Sequence, residues 1–240
     1  MSESLQGASV VVIGGTSGIG LATAQQAADA GAQVTIVGRD QARMANALST
    51  LGRDTSGVTL DIADERAVRD LFDSLDHVDH VASLAGTHVH GRLADVDTDT
   101  LRGPVDNRFW GPLFVGKYAP AKMTGGSITI CTGAGVARPR PGAAIVAAAA
   151  GASEFLARAM AVELAPIRVN VIRPGIVDTP LLDRLVPGGD RNELLESMAK
   201  RVPLKRVAQP EEIADGILFL IRNAYVTGAT LTVDGGASIA

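Results

Sequence analysis

One cysteine, four lysines and two tyrosines in 240 residues leave several kinds of chemistry without their usual side chains. Cys131 alone forms no internal disulfide, and no Cys/His cluster offers four zinc ligands at usable spacing, so neither a disulfide framework nor a metal site is expected. A lone thiol fits a reducing, cytoplasmic setting. Few lysines and a net charge of -4 argue against a nucleic-acid surface, where clustered cations must neutralise phosphates. A small-molecule partner is expected instead. Long hydrophobic runs are also missing: the longest, Ala143 to Ala152, is broken by Ser153 and Glu154 well before membrane-spanning length, so no membrane partner is expected. No basic leader precedes the first apolar run, Val10 to Ile13, which reads as the start of the fold rather than a signal peptide.

What is present is an alternation of short β-branched runs with longer Ala-rich amphipathic stretches, the pattern of repeated βα units around a parallel sheet buried on both faces. Strands are expected at Ser9 to Ile13, Gln33 to Val37, Val58 to Leu60, His80 to Leu84, Ser127 to Cys131, Arg168 to Ile172 and Thr230 to Val233. Helices are expected at Gly18 to Ala30, Asp40 to Leu51, Asp64 to Leu75, Val105 to Lys122, Ala143 to Leu164 and Pro210 to Arg222. This predicts an α/β fold: a single doubly wound Rossmann-type domain over residues 1–240, with a seven-stranded parallel sheet flanked by helices. A polar segment around 181–203, interrupted by Pro187, Gly188 and Gly189, is a candidate substrate lid.

The first strand runs into Gly14-Gly15-Thr16-Ser17-Gly18-Ile19-Gly20, with a helix directly after. A side chain at Gly14 or Gly18 would hold a pyrophosphate away from the backbone N–H groups, and the helix dipole favours negative charge there. The other reading of such a segment is a tight turn without a ligand.

With its Gly-x-x-x-Gly-x-Gly spacing, this segment resembles the short-chain dehydrogenase/reductase family. Further matches follow in order along nearly the whole chain: Asp61-Ile62 at the end of the third strand, Ala85-Gly86 at the end of the fourth, and Arg173 to Pro180 on what would be the nicotinamide side. Gln209 to Ala214 and Val226 to Gly236 are similar to the family's last helix and last strand. The resemblance implies nicotinamide-cofactor binding by Gly14, Thr16, Ser17, Gly18, Ile19, Gly20, Asp61, Ile62, Ala85, Gly86, Pro174, Gly175, Val177 and Thr179. It also implies a homo-oligomer, a tetramer. At the end of the second strand an acidic residue would select NAD by its ribose hydroxyl. The chain has Gly38-Arg39 there, and a guanidinium suits the extra phosphate of NADP(H). Asp40 is expected to cap the following helix.

Around the reacting centre the resemblance fails. Family members protonate a carbonyl with a Tyr assisted by a Lys four residues on, with a Ser and an Asn completing the site. Here Val146 and Ala150 fall at the Tyr and Lys positions, and the tyrosines are Tyr118 and Tyr225. Gly133 falls at the Ser position, with Thr132 the nearest hydroxyl. Spacing from Gly111 puts Arg108 at the Asn position, with Asn107 adjacent. Thr132 and Arg108 are therefore the candidate catalytic residues, with His88 and His90 in the neighbouring loop as solvated side chains or weaker candidates. Two functions remain: an NADP(H)-dependent oxidoreductase with a non-standard site for a small apolar substrate, or a catalytically silent NADP(H)-binding sensor or regulatory subunit.

Overall fold

Three consecutive valines in Ser9–Ile13 form β1, in the interior of the sheet. Both faces of this strand are buried. Val11 and Ile13 enter the core on one face and Val10 and Val12 the core on the other, as alternate side chains of a strand must. The computed structural model describes residues 4–52, 55–182 and 190–240. The N-terminal leader reading at residues 1–3 and the centre of the expected lid, 183–189, lie outside the described residues.

The strands are β1, β2 (Gln33–Gly38), β3 (Thr55–Thr59), β4 (His80–Ser83), β5 (Ser127–Cys131), β6 (Arg168–Pro174) and β7 (Thr230–Val233). They make one seven-stranded sheet in the order β3-β2-β1-β4-β5-β6-β7, and every pairing is parallel. Helices α1 (Gly18–Asp29), α2 (Gln41–Leu51) and α8 (Pro210–Arg222) cover one face. On the other lie α3 (Glu65–Asp73), α5 (Gly111–Tyr118) and α6 (Ala144–Glu163). The remaining helices are α4 (Thr98–Val105) and α7 (Arg191–Ala199). This is the doubly wound single-domain architecture expected from the βα alternation.

Local chemistry fixes the helix ends. Asp40, Asp64 and Asp97 cap α2, α3 and α4 by accepting amide hydrogen bonds from Arg43, Ala67 and Thr100 at 2.9, 3.1 and 2.8 Å. At the other end of α8, buried Arg168 donates to the Leu220 and Ile221 carbonyls at 2.7 and 2.6 Å, placing a cation at the negative end of the helix.

Two elements differ from expectation. The third strand was expected over Val58 to Leu60 and instead begins at Thr55. Thr55, Ser56 and Gly57 carry little hydrophobic signal, but the ladder to β2 needs only their backbone groups. Gly57 also lets Met44 of α2 lie directly on the strand, since a Cβ there would stand 2.5 Å from the Met44 sulfur.

The expected single helix from Val105 to Lys122 is divided. A π-helical turn at Asp106–Trp110 separates α4 from α5, and a 3-10 turn at Ala119–Lys122 ends the stretch. Pro104 and Pro112 have no N–H, so the carbonyls four residues earlier, at Thr100 and Arg108, lose their helical donors. Gly111 donates to the Asp106 carbonyl five residues back, taking one extra residue into the turn. The freed Arg108 carbonyl accepts instead from the Ser153 hydroxyl on α6.

Helix α6 lies within one residue of its expected ends, and an 18-residue stretch of it reaches mean hydropathy 1.5 in spite of Ser153 and Glu154. By length and composition alone it could cross a membrane. It instead packs Val146, Ala149, Ala150, Ala157 and Met160 inward, with Ser153 and Glu154 also buried and hydrogen-bonded.

Candidate active site

The carboxyl end of the sheet forms a cleft at the β1–α1 turn. The motif glycines make it by removing side chains from positions that have no room for them. Gly14 has φ +89°, and a Cβ on it would stand 2.9 Å from the Ala85 amide nitrogen; a Cβ on Gly20 would stand 2.0 Å from the Gly14 carbonyl oxygen. The turn thereby brings the α1 N-terminus against β1. Ser17 is the extended N-cap residue but makes no side-chain cap bond, and the first turn of α1 has no acidic residue. Helix N–H groups and the positive end of the dipole face the cleft with no protein anion competing for them. Gly14, Thr16, Ser17, Gly18, Ile19 and Gly20 all line it.

At the end of β2 the structure adds a steric reason to the sequence reading. A Cβ on Gly38 would lie 2.6 Å from the Thr16 methyl carbon, so the turn occupies the space in which an acidic side chain would begin. Arg39 lines the cleft and pairs with Asp61 at 3.3 Å, both side chains about half exposed. Arg43 also lines the cleft and was missed. The signal for it was the Asp40 cap, which starts α2 and sets Arg43 one turn beyond Arg39. Its Nε lies 3.4 Å from Asp40.

Ile62, Ala85, Gly86 and Thr179 also line the cleft, joined by Asn107, Pro180 and Leu181. Thr179 closes over the glycine turn, its methyl carbon 3.0 Å from where a Gly18 Cβ would be. Pro174, Gly175 and Val177 do not line the cleft: Pro174 ends β6, Gly175 packs on Asp234, and Val177 bridges to Ala208. From the expected lid, α7 begins at Arg191, which bonds the Asp178 carboxylate and, at 3.3 Å, the Thr179 carbonyl.

The π turn answers the choice between Asn107 and Arg108 by burying both, at 6 % and 7 % exposure. Asn107 Oδ1 accepts a 3.0 Å hydrogen bond from Thr87. The Arg108 guanidinium packs on Gly86 at the end of β4, and its Nε donates to the Thr87 carbonyl at 3.3 Å.

Thr132 is buried, and its hydroxyl donates to Glu154 at 3.0 Å. Glu154 is held in turn by Arg173 through bonds of 2.8 and 2.5 Å, which keep the Arg173 guanidinium strongly basic. Residues 132, 154 and 173 thus form a buried charge network tying β5, α6 and β6 together. Tyr118 donates its hydroxyl to Glu65 at 2.7 Å, and Tyr225 is 99 % exposed. Val146 and Ala150 lie one turn apart on the buried side of α6, and the position of a Gly133 Cβ has open space around it. His88 and His90 are exposed, with the His90 ring against Gly142. Burial pushes the Cys131 thiol up to about 11, so it stays protonated at neutral pH.

Comparison with known proteins agrees with this geometry. Residues 13–238 match the family described as Enoyl-(Acyl carrier protein) reductase. The short-chain dehydrogenase/reductase ATR9 of Stachybotrys chlorohalonatus is 31% identical, covering 97% of this chain and 98% of that protein. The human 3-oxoacyl-[acyl-carrier-protein] reductase is 30% identical over 95% of this chain and 97% of its own length. Among solved structures, the MalC reductase/Diels-Alderase from Malbranchea aurantiaca superimposes with a TM-score of 0.90 at 31% identity, covering 97% of each chain.

Proposed function

This chain belongs to the short-chain dehydrogenase/reductase family, whose members use NAD(P)(H), and we propose that it is an NADP(H)-dependent oxidoreductase with a non-standard active site. The observation that carries the cofactor choice is the end of β2, where Arg39 and Arg43 line the cleft and Gly38 has no room for a carboxylate. The α1 N-terminus suits the pyrophosphate, because Gly14, Gly18 and Gly20 keep side chains out of its approach. When bound, the nicotinamide supplies or accepts a hydride. The chain's own residues hold the nucleotide at Gly14 to Gly20 and at Arg39, and close over it with Thr179.

In this reading Val146 and Ala150 take the places of the proton-donating Tyr and its Lys partner, and neither supplies a proton. Arg108 contributes positive charge near the reacting centre without acting as an acid, since a guanidinium stays charged at neutral pH. Thr132, whose hydroxyl is engaged by Glu154, acts as a positioning residue between β5 and α6. Helix α7 belongs to a cover over the substrate side, supported by the Arg191 bonds to Asp178 and Thr179. The substrate is small and mainly apolar, the setting a reducing cytoplasm, and the assembly a homotetramer packed through α5 and α6.

Titration of the purified protein with NADPH and NADH tests the cofactor assignment. NADPH binds more tightly, and Arg39→Ala and Arg43→Ala each weaken it by about tenfold or more while leaving NADH unchanged, as expected for a charge-assisted phosphate contact. Equal affinities for the two cofactors in the wild type would defeat the assignment. A second reading, a silent NADP(H)-binding sensor or regulatory subunit, is favoured by the engagement of both the Tyr118 and Thr132 hydroxyls with carboxylates. Turnover of any substrate by the purified homo-oligomer excludes it.

A further inference from the structure

Among the described residues, Arg108 is a buried cation without a counter-ion: of its five N–H donors only that on Nε has a partner there, the Thr87 carbonyl, and no carboxylate there pairs with it. Other buried or half-buried arginines contrast with this: Arg168 is spent on helix carbonyls and Arg173 grips Glu154 with two bonds. Cys131, the acidic group whose charge would act on Arg108, remains a neutral thiol at neutral pH. A charge held out of water without a partner is costly, and a ligand that brings the opposite charge removes the cost.

The position of Arg108 names the ligand. Its guanidinium lies over Gly86, which lines the cleft, and next to Asn107, which lines it too. Arg39 and Arg43 stand at the end of β2, two strands from the β4 end and roughly 10 Å away at ordinary strand spacing, while the β1–α1 turn is one strand away. We propose that Arg108 receives an oxyanion carried by the substrate, so that the substrate class is an apolar molecule with a carboxylate or equivalent oxygen anion beside its reacting centre. This rests on the assignment of the cleft as a nicotinamide-nucleotide site. The cofactor's phosphates are the other source of the same charge.

Calorimetric titration of benzoate and its neutral counterpart benzamide, into protein without cofactor and again with saturating NADPH, separates these possibilities. Wild-type protein binds benzoate about tenfold or more tightly than benzamide, the expected return of a charge-assisted contact. Arg108→Met abolishes the preference to within about twofold, while Arg108→Lys retains part of it because the charge stays and the fork geometry is lost. Where Arg108→Met gives no folded protein, Arg108→Gln takes its place with the same criterion. No preference in the wild type, or a preference that survives loss of the guanidinium, overturns the proposal. So does a variant that loses NADPH affinity and leaves benzoate binding unchanged, since the anion would then be the cofactor's. A protein that binds benzoate selectively but not NADPH fails the cofactor assignment and leaves the role of Arg108 standing.

Discussion

The Ser153 hydroxyl on α6 donates to the backbone carbonyl of Arg108, a carbonyl that lost its helical donor because the residue four positions on is Pro112. This bond ties the π turn to the helix beside it and fixes the backbone from which both Asn107 and Arg108 project inward. Ser153→Ala leaves that buried carbonyl unmet, and the expected cost is about 1–3 kcal/mol. Chemical denaturation measures it. Stability equal to wild type would mean that water or another donor serves the carbonyl equally well.

Wild-type protein binds NADP(H) yet shows negligible reduction of simple ketones at neutral pH. Val146→Tyr with Ala150→Lys places a phenol and an ammonium group one turn apart on α6, and activity appears only in the double variant because the Lys must lower the Tyr pKa for it to act. Both positions are buried, so overpacking of about 1–3 kcal/mol is expected, and melting temperature and NADPH affinity are measured alongside. Ready ketone turnover by the wild type would contradict the loss of the proton donor.

The stability of the fold depends on pH through His80. Burial pushes its pKa from 6.5 down to about 4, with Asp79 opposing and Arg168 assisting, while its ring nitrogen lies 3.0 Å from the Ser127 hydroxyl. The unfolded chain therefore takes up a proton at higher pH than the folded one. The stabilisation is complete above about pH 6.5 and is lost as pH falls toward 4, a change of about 3 kcal/mol. Denaturation curves across that window show the slope, and His80→Asn flattens it. An unchanged slope in the variant would assign the effect to other groups.

On α6, the exposed residues Ala148, Ala152, Phe155, Ala159 and Val162 recur at alternating spacings of four and three, a stripe suited to a second helix. Phe155 is 72 % and Val162 82 % exposed, and Trp110 of the π turn is 44 % exposed. Light scattering at micromolar concentration gives a tetramer, and Phe155→Glu with Val162→Glu reduces it to a smaller species that still binds NADPH. A wild-type monomer would refute the assembly.

The sequence was most legible where one local rule decided the outcome. The valines of β1 declare a doubly buried strand, and the glycines that follow declare a tight turn from that strand into a helix. β3 was misplaced at its start because Thr55, Ser56 and Gly57 join the sheet through backbone groups, which leave little trace in hydrophobic pattern. The π turn was hidden for the opposite reason. Residues 105–122 read as one helix, and only the prolines mark where the ladder breaks, Pro104 and Pro112 about the π turn and Pro120 in the closing 3-10 turn. The engagement of Thr132 was not legible, because its partner Glu154 and the Arg173 that holds Glu154 are brought together by tertiary packing alone.

The closeness of Gly20 to the Gly14 carbonyl gives the molecule an uneven tolerance to mutation. A Cβ at residue 20 would stand 2.0 Å from that oxygen, so a side chain there breaks the junction between the first strand and the first helix. Positions 146 and 150 carry no such tie, and small apolar residues there satisfy the packing of α6. Random drift is filtered at the β1–α1 turn by folding itself, and at positions 146 and 150 only by whatever the protein is asked to do.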